Sequence, residues 1–216
     1  MTPQHEHSVM IRTGGIALEG VLGLPVGPCG VVVFAHGSGS GRLSPRNTFV
    51  ARQLQRDGLA TLLLDLLTEV EADDRRNVFD INLLANRLLL AKDWLEAEPR
   101  TQHLKIGYFG ASTGAGAALQ AAAREPLHIK AVVSRGGRPD LAEPYLPSVT
   151  APTLLIVGGH DEPVIEMNQD AYDFLTCEKK LVIVPGATHL FEEPGTLDQV
   201  AELAGKWFGR YLKLAG

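Results

Sequence analysis

Ser112 sits in the string Gly110-Ala111-Ser112-Thr113-Gly114, between an apolar run and a stretch of small residues. A serine hydroxyl attacks a carbonyl when a base takes its proton and fixed donors meet the charge that forms on the carbonyl oxygen. The G-x-S-x-G spacing provides for the donors. A strand that turns sharply into a helix holds the serine in a strained conformation, and side chains in place of the flanking glycines would collide with both elements. The first free N–H groups of the helix, and the positive end of its dipole, then lie beneath an oxyanion formed at the serine. Such strings also arise by chance in a chain with 23 glycines, so the surroundings matter. Lys105 to Phe109 is strand-like, Ala115, Ala117, Ala118, Ala121 and Ala122 let the following helix lie close to a sheet, and Glu125-Pro126 ends it.

The elements that must position this serine are legible as alternation. Six β-rich runs are expected at Val31 to Ala35, Ala60 to Leu64, Lys105 to Phe109, Ile129 to Ser134, Thr153 to Val157 and Lys180 to Val184. Helices are expected between and after them, at Arg46 to Asp57, Val78 to Glu98, Thr113 to Arg124, Glu166 to Leu175 and Thr196 to Leu214. This predicts an α/β fold, a mostly parallel sheet with helices on both faces. Ser8 to Arg12 and Ile16 to Leu24 flank Thr13-Gly14-Gly15 and predict an antiparallel edge hairpin. The run Glu69, Glu71, Asp73, Asp74, Arg75, Arg76 reads as a solvated loop. No repeat, linker or low-complexity tract interrupts residues 1–216, so one domain is expected.

Open α/β sheets bind ligands at the carboxyl ends of their strands, and two later strands end in the groups a serine needs. Thr153 to Val157 runs into Gly158-Gly159-His160-Asp161, and Lys180 to Val184 into Pro185-Gly186-Ala187-Thr188-His189. His189 would take the proton from Ser112 and return it to the leaving alcohol, while Asp161 fixes its tautomer. Of the other histidines, His5 and His7 lie in the N-terminal tail, and His103 and His128 precede strands, at the wrong end of the sheet. His160 could reach the site only with another carboxylate. Asp140, after the strand at Ile129 to Ser134, is the rival acid, although Asp161 stands closer to its strand end. The backbone N–H groups of Ser38 and Thr113 are the expected oxyanion donors. His36 reads as a hydrogen-bonding residue that holds the loop carrying Ser38. Arg135, Arg138, Arg42 and Arg46 follow strand ends too. Arg135 is the candidate for binding a substrate carboxylate; the alternative for all four is pairing with Asp140, Glu143 or Asp65.

In order along the chain, the His36-Gly37-Ser38-Gly39-Ser40 loop, the G-x-S-x-G string and the segments ending in Asp161 and His189 resemble an α/β-hydrolase, and within that superfamily the dienelactone hydrolase-like family. The resemblance covers almost the whole chain. It implies an α/β-hydrolase fold and favours Asp161 over Asp140; because no insertion of more than about twenty residues follows the strand at Ile129 to Ser134, where this fold usually carries a cap, no cap domain is expected. Well-known dienelactone hydrolases carry cysteine as nucleophile, whereas this chain has Ser112, a departure that bears on the substrate.

Composition narrows the partners. With a net charge of −5 and pI near 5.8, and without a basic stripe, no nucleic-acid footprint is expected. The apolar stretches are strand-length, and the first eight residues are polar, so neither a membrane span nor a secretory segment is expected and the location expected is cytoplasmic. Cys29 and Cys177 have no metal-ligand spacing and read as free thiols; no metal or other cofactor is expected. The expectation is a monomer or homodimer that hydrolyses small carboxylic esters or lactones through an acyl-enzyme. Acyl transfer or perhydrolysis at the same site is the alternative enzyme, and a silent binding module on the same fold the alternative class.

Overall fold

The computed structural model describes residues 5–213. Runs rich in Val, Leu and Ala that bury every residue make the centre of the sheet: β3 (Val31–Ala35), β4 (Ala60–Leu64), β5 (Ile106–Ala111) and β7 (Thr153–Gly158). A strand covered on both faces has no solvent side and so no alternation. With β1 (His5–Thr13), β2 (Ile16–Leu24), β6 (Ile129–Arg135) and β8 (Lys179–Val184) they form one eight-stranded sheet in the order β1-β2-β4-β3-β5-β6-β7-β8. All pairings from β4 to β8 are parallel, while β1 and β2 are antiparallel. The hairpin turn is Gly14-Gly15, with φ of 50° and 84°, values that glycine adopts without strain.

Two apolar layers clamp the sheet. One side chain set, including Val33, Leu62, Tyr108 and Val132, faces α4 (Ile81–Ala97), α5 (Thr113–Arg124) and α6 (Glu162–Phe174). The alternate set, including Phe34, Phe109, Ala131 and Val133, faces α1 (Pro45–Arg56) and α7 (Thr196–Leu212). The alanines expected to bring α5 close to the sheet are each fully buried. No helix among the described residues is long and apolar enough to cross a membrane.

Several boundaries differ from expectation. The acidic-then-basic run is not a loop but two short helices, α2 (Glu69–Ala72) and α3 (Arg75–Val78). Thr68 and Glu71 form a reciprocal capping box there, and Glu71 pairs with Arg87, which is buried in α4, so the run is anchored rather than merely solvated. The α4 helix starts only at Ile81, because the Asp80 side chain accepts the Leu83 N–H. The α6 helix starts at Glu162, four residues early, because Pro163 suits a first helical turn. A 3-10 segment, Pro139–Ser148, fills the β6–β7 connection, where no helix was expected. His5 and His7 belong to β1 rather than to a tail. Leu214, the expected end of α7, lies outside the described residues.

Candidate active site

Ser112 occupies the turn from β5 into α5 at φ 51°, ψ −123°, a left-handed conformation that a side chain adopts at a cost. Backbone bonds hold it there: its N–H donates to Arg135 O at 3.3 Å, and its carbonyl accepts from Ala115 N at 3.0 Å and Arg138 N at 3.0 Å. The glycines are demanded by contact. A Cβ on Gly110 would strike the backbone of Ala115, and one on Gly114 the carbonyls of Ala35 and His36. With no side chain in the way, α5 closes against the ends of β3 and β5. Thr113 is its first residue.

The loop after β3 lies against the serine, since a Cβ on Gly37 would come within 2.9 Å of Ser112 Cβ. His36 holds that loop. Its Nδ1 lies 2.9 Å from Gly37 O, and its Nε2 accepts the Leu66 N–H at 3.0 Å, which assigns the proton to Nδ1 and leaves the ring neutral. Burial pushes this imidazole below its ordinary value. The Asp65 carboxylate, just past β4, takes the Arg42 backbone N–H at 2.6 Å and also its guanidinium, which in turn reaches Glu19. Sequence reasoning named Asp65 as a partner but passed over Glu19; a short-range reading has no signal for a partner brought in by the β2–β4 pairing.

Asp161 and His189 meet at the ends of β7 and β8, with Asp161 Oδ2 2.6 Å from His189 Nδ1. Asp161 is the N-cap residue of α6, yet its side chain makes no capping bond. Gly136, just past β6, touches the same histidine: a Cβ there would lie 3.0 Å from His189 O and 3.5 Å from His189 Nδ1. The histidine loop is tied by Glu193, which accepts from Thr188 N at 3.1 Å and Thr188 Oγ1 at 2.6 Å. It is strained at Phe191, buried with φ 56°. Among the described residues Ser112 Oγ forms no hydrogen bond. The rival acid, Asp140, is held by Arg138 through bonds of 2.9 and 2.7 Å.

The arginines divide. Arg42 pairs with Asp65 as the alternative had it, and Arg138 with Asp140. Arg46 reaches Glu192 at 3.1 Å, a partner not foreseen. Arg135 is buried, with Nε and Nη1 lacking any partner. A cavity of about 660 Å³ opens beside the serine turn, lined by Ser38 and Thr113 at one end and by Ala17, Leu67, Val70, Val78 and Leu84 along its apolar walls. Among the described residues no group of three or more His, Cys, Asp or Glu is disposed to hold a metal ion. The carboxyl-end rim of the sheet thus carries a strained serine at a helix N-terminus and, on later strands, a carboxylate-bound imidazole.

Residues 18–214 match the model of the dienelactone hydrolase family. The crystal structure of a dienelactone hydrolase from Anabaena variabilis is 60% identical, with a TM-score of 0.94 over 97% of this chain and 99% of that one. Est1E from Butyrivibrio proteoclasticus shares the fold at 20% identity, with a TM-score of 0.81 over 94% of this chain and 98% of that one. In sequence, a Mycobacterium tuberculosis protein provisionally named a phosphoribosyl transferase is 57% identical over 206 residues, 95% of this chain and 46% of that protein. The chain thus spans about half the length of the curated relatives it matches.

Proposed function

The chain belongs to the dienelactone hydrolase family, and from that premise we propose that it is a serine hydrolase of small carboxylic esters or lactones, with Ser112 as nucleophile, His189 as general base and Asp161 as the acid that orients it. The observation that carries this reading is the strained Ser112 at the head of α5, in the same sheet rim as the 2.6 Å Asp161–His189 pair.

In the forward step His189 Nε2 accepts the Ser112 proton as Oγ bonds to the ester carbonyl carbon. The carbonyl oxygen becomes an oxyanion facing the N–H groups of Ser38 and Thr113. His189 then gives the proton to the leaving oxygen, the C–O bond breaks, and an acyl-serine remains. Water repeats the sequence and frees the acid. Asp161 keeps the Nδ1–H tautomer, so that Nε2 is free for both transfers, and stabilises the imidazolium between them. The contact between Ser112 Oγ and His189 closes on substrate binding, as catalytic hydrogen bonds often do.

The cavity beside Ser38 and Thr113 suits an apolar arm of the substrate. Arg135, buried one residue beyond the register partner of the last β5 pair but one, offers a guanidinium to a substrate carboxylate. The phosphoribosyl transferase name is said of a protein about twice as long and supplies no step here. A fluorophosphonate probe tests the reading: peptide mapping should place the label on Ser112. Labelling elsewhere, or none in the folded protein, would overturn it.

A further inference from the structure

The bonds of a tetrahedral carbon at Ser112 divide the site. One goes to Oγ, one to the oxyanion at Ser38 and Thr113, and one to the leaving oxygen, which must face His189 to receive its proton. In the sheet order His189 follows β8 and Asp161 follows β7, both on one side of β5, the strand that ends at Ser112. The cavity of about 660 Å³ lies on the other side, at the rim of β3, β4 and β2. The alcohol therefore leaves away from the cavity, and the arm that enters it is the acyl chain.

The polar groups around this cavity are largely answered. His36 is bonded at both ring nitrogens, and Arg42 is shared by Asp65 and Glu19. Away from Ser38 and Thr113 the walls left to a ligand are Ala17, Leu67, Val70, Val78 and Leu84. Three of these belong to one stretch, residues 67–78, which carries α2 and α3. Helices of four residues do not hold themselves. Glu71 holds this stretch: Oε2 accepts from Thr68 N at 2.9 Å and Thr68 Oγ1 at 3.1 Å, its carbonyl accepts from Asn77 Nδ2 at 2.9 Å, and Oε1 accepts from Arg87 Nη2 at 2.5 Å. Arg87 is buried in α4, the helix that also presents Leu84 to the cavity. One ion pair thus ties the α2–α3 wall to the wall behind it.

We propose that residues 67–78 are an acyl-chain gauge: the cavity takes an uncharged alkyl acyl chain, Ala17 and Val78 limit its length, and the Glu71–Arg87 pair positions the wall that Val70 and Val78 form. The proposal rests on the reading of Ser112 as nucleophile and names a substrate class within it. That class is esters of saturated acids longer than acetate, held with the alcohol toward β7 and β8.

The test measures kcat/KM for 4-nitrophenyl acetate, butanoate, hexanoate and octanoate, and, by acid release, for ethyl, butyl and hexyl acetate, in which the alcohol arm is lengthened instead. Rates should climb about threefold to fourfold per methylene along the first series until the cavity is full, and not along the second. Ala17→Phe fills the cavity from β2 and should move the maximum to a shorter acyl chain, whereas Val78→Ala should move it to a longer one. Both positions are only partly buried, so folding is kept. Arg87→Met removes the pair without leaving a buried charge unanswered. It should lower the hexanoate-to-acetate ratio of kcat/KM by about tenfold, mainly through KM, the effect of losing roughly two buried methylenes. A loss of kcat on both esters alike would overturn the positioning role. A flat acyl series, or variants that shift the alkyl acetates instead, would overturn the gauge while fluorophosphonate labelling of Ser112 still upheld the nucleophile. Failure of Ser112 to take the label would overturn both.

Discussion

Asp161 and His189 are 28 residues apart in sequence yet share a 2.6 Å hydrogen bond, because β7 and β8 are neighbours that end at one rim of the sheet. Asp161 stands where a helix would use its carboxylate as a cap, and that carboxylate goes to the imidazole instead. Asp161→Asn should therefore lower kcat for an activated ester by about 10⁴, through the wrong His189 tautomer, with little change in folding. Asp140→Asn should leave kcat nearly unchanged, since Asp140 is occupied by Arg138. Steady-state kinetics on the two purified variants checks this, and the reverse ranking would move the acid to Asp140.

Ser112→Ala should reduce turnover by about four to six orders of magnitude. Ser112→Gly should be equally inactive but more stable than the alanine variant, by about 1 to 2 kcal/mol, because only glycine adopts φ 51° without a Cβ penalty. Paired denaturation curves read the difference, and equal stabilities would mean that the turn stores no strain.

Replacing the buried, unanswered charge of Arg135 with an apolar chain of similar length removes a desolvation cost. Arg135→Met should raise stability by about 1 to 4 kcal/mol while lowering the ratio of anionic to neutral ester kcat/KM. Loss of stability would show that the guanidinium supports the fold.

Burial keeps the His36 imidazole below its ordinary 6.5. The unfolded chain takes up the proton first as pH falls, so the contribution of His36 is complete above about 6.5 and is lost progressively toward the lower folded-state value. Measured from about pH 7.5 down to about pH 5, unfolding free energy should fall more steeply for the wild-type protein than for His36→Asn, the variant that cannot titrate there. Parallel slopes would remove His36 from the acid response.

Much of this architecture was legible because local physics and tertiary context agree. Val31–Ala35 and Ala60–Leu64 are too apolar for anything but a strand covered on both faces, and the glycines around Ser112 leave room only for a tight turn. The strand ends alone bring Asp161 and His189 within reach of one another. What was not legible depended on partners distant in sequence. Glu71 looks solvated until α4 brings Arg87 to it, and Arg46 meets Glu192 across 146 residues. Pro163 disguised the start of α6, because the same residue that ends helices also opens them.

The strand that leads to His189 is the least supported part of the active-site frame. β8 is an edge strand, bonded to β7 alone, and five of its six residues are only partly buried or exposed, Val184 alone being buried. Edge elements open at a lower free energy than the interior of a sheet. His189 therefore follows a segment that should exchange its amide protons and detach while β3, β5 and β6 still hold Ser112 in place. On warming, a local, reversible detachment of this margin should precede the melting of the bulk of the sheet, so that turnover dependent on His189 should fade at temperatures set by β7–β8 pairing and not by the strength of the core.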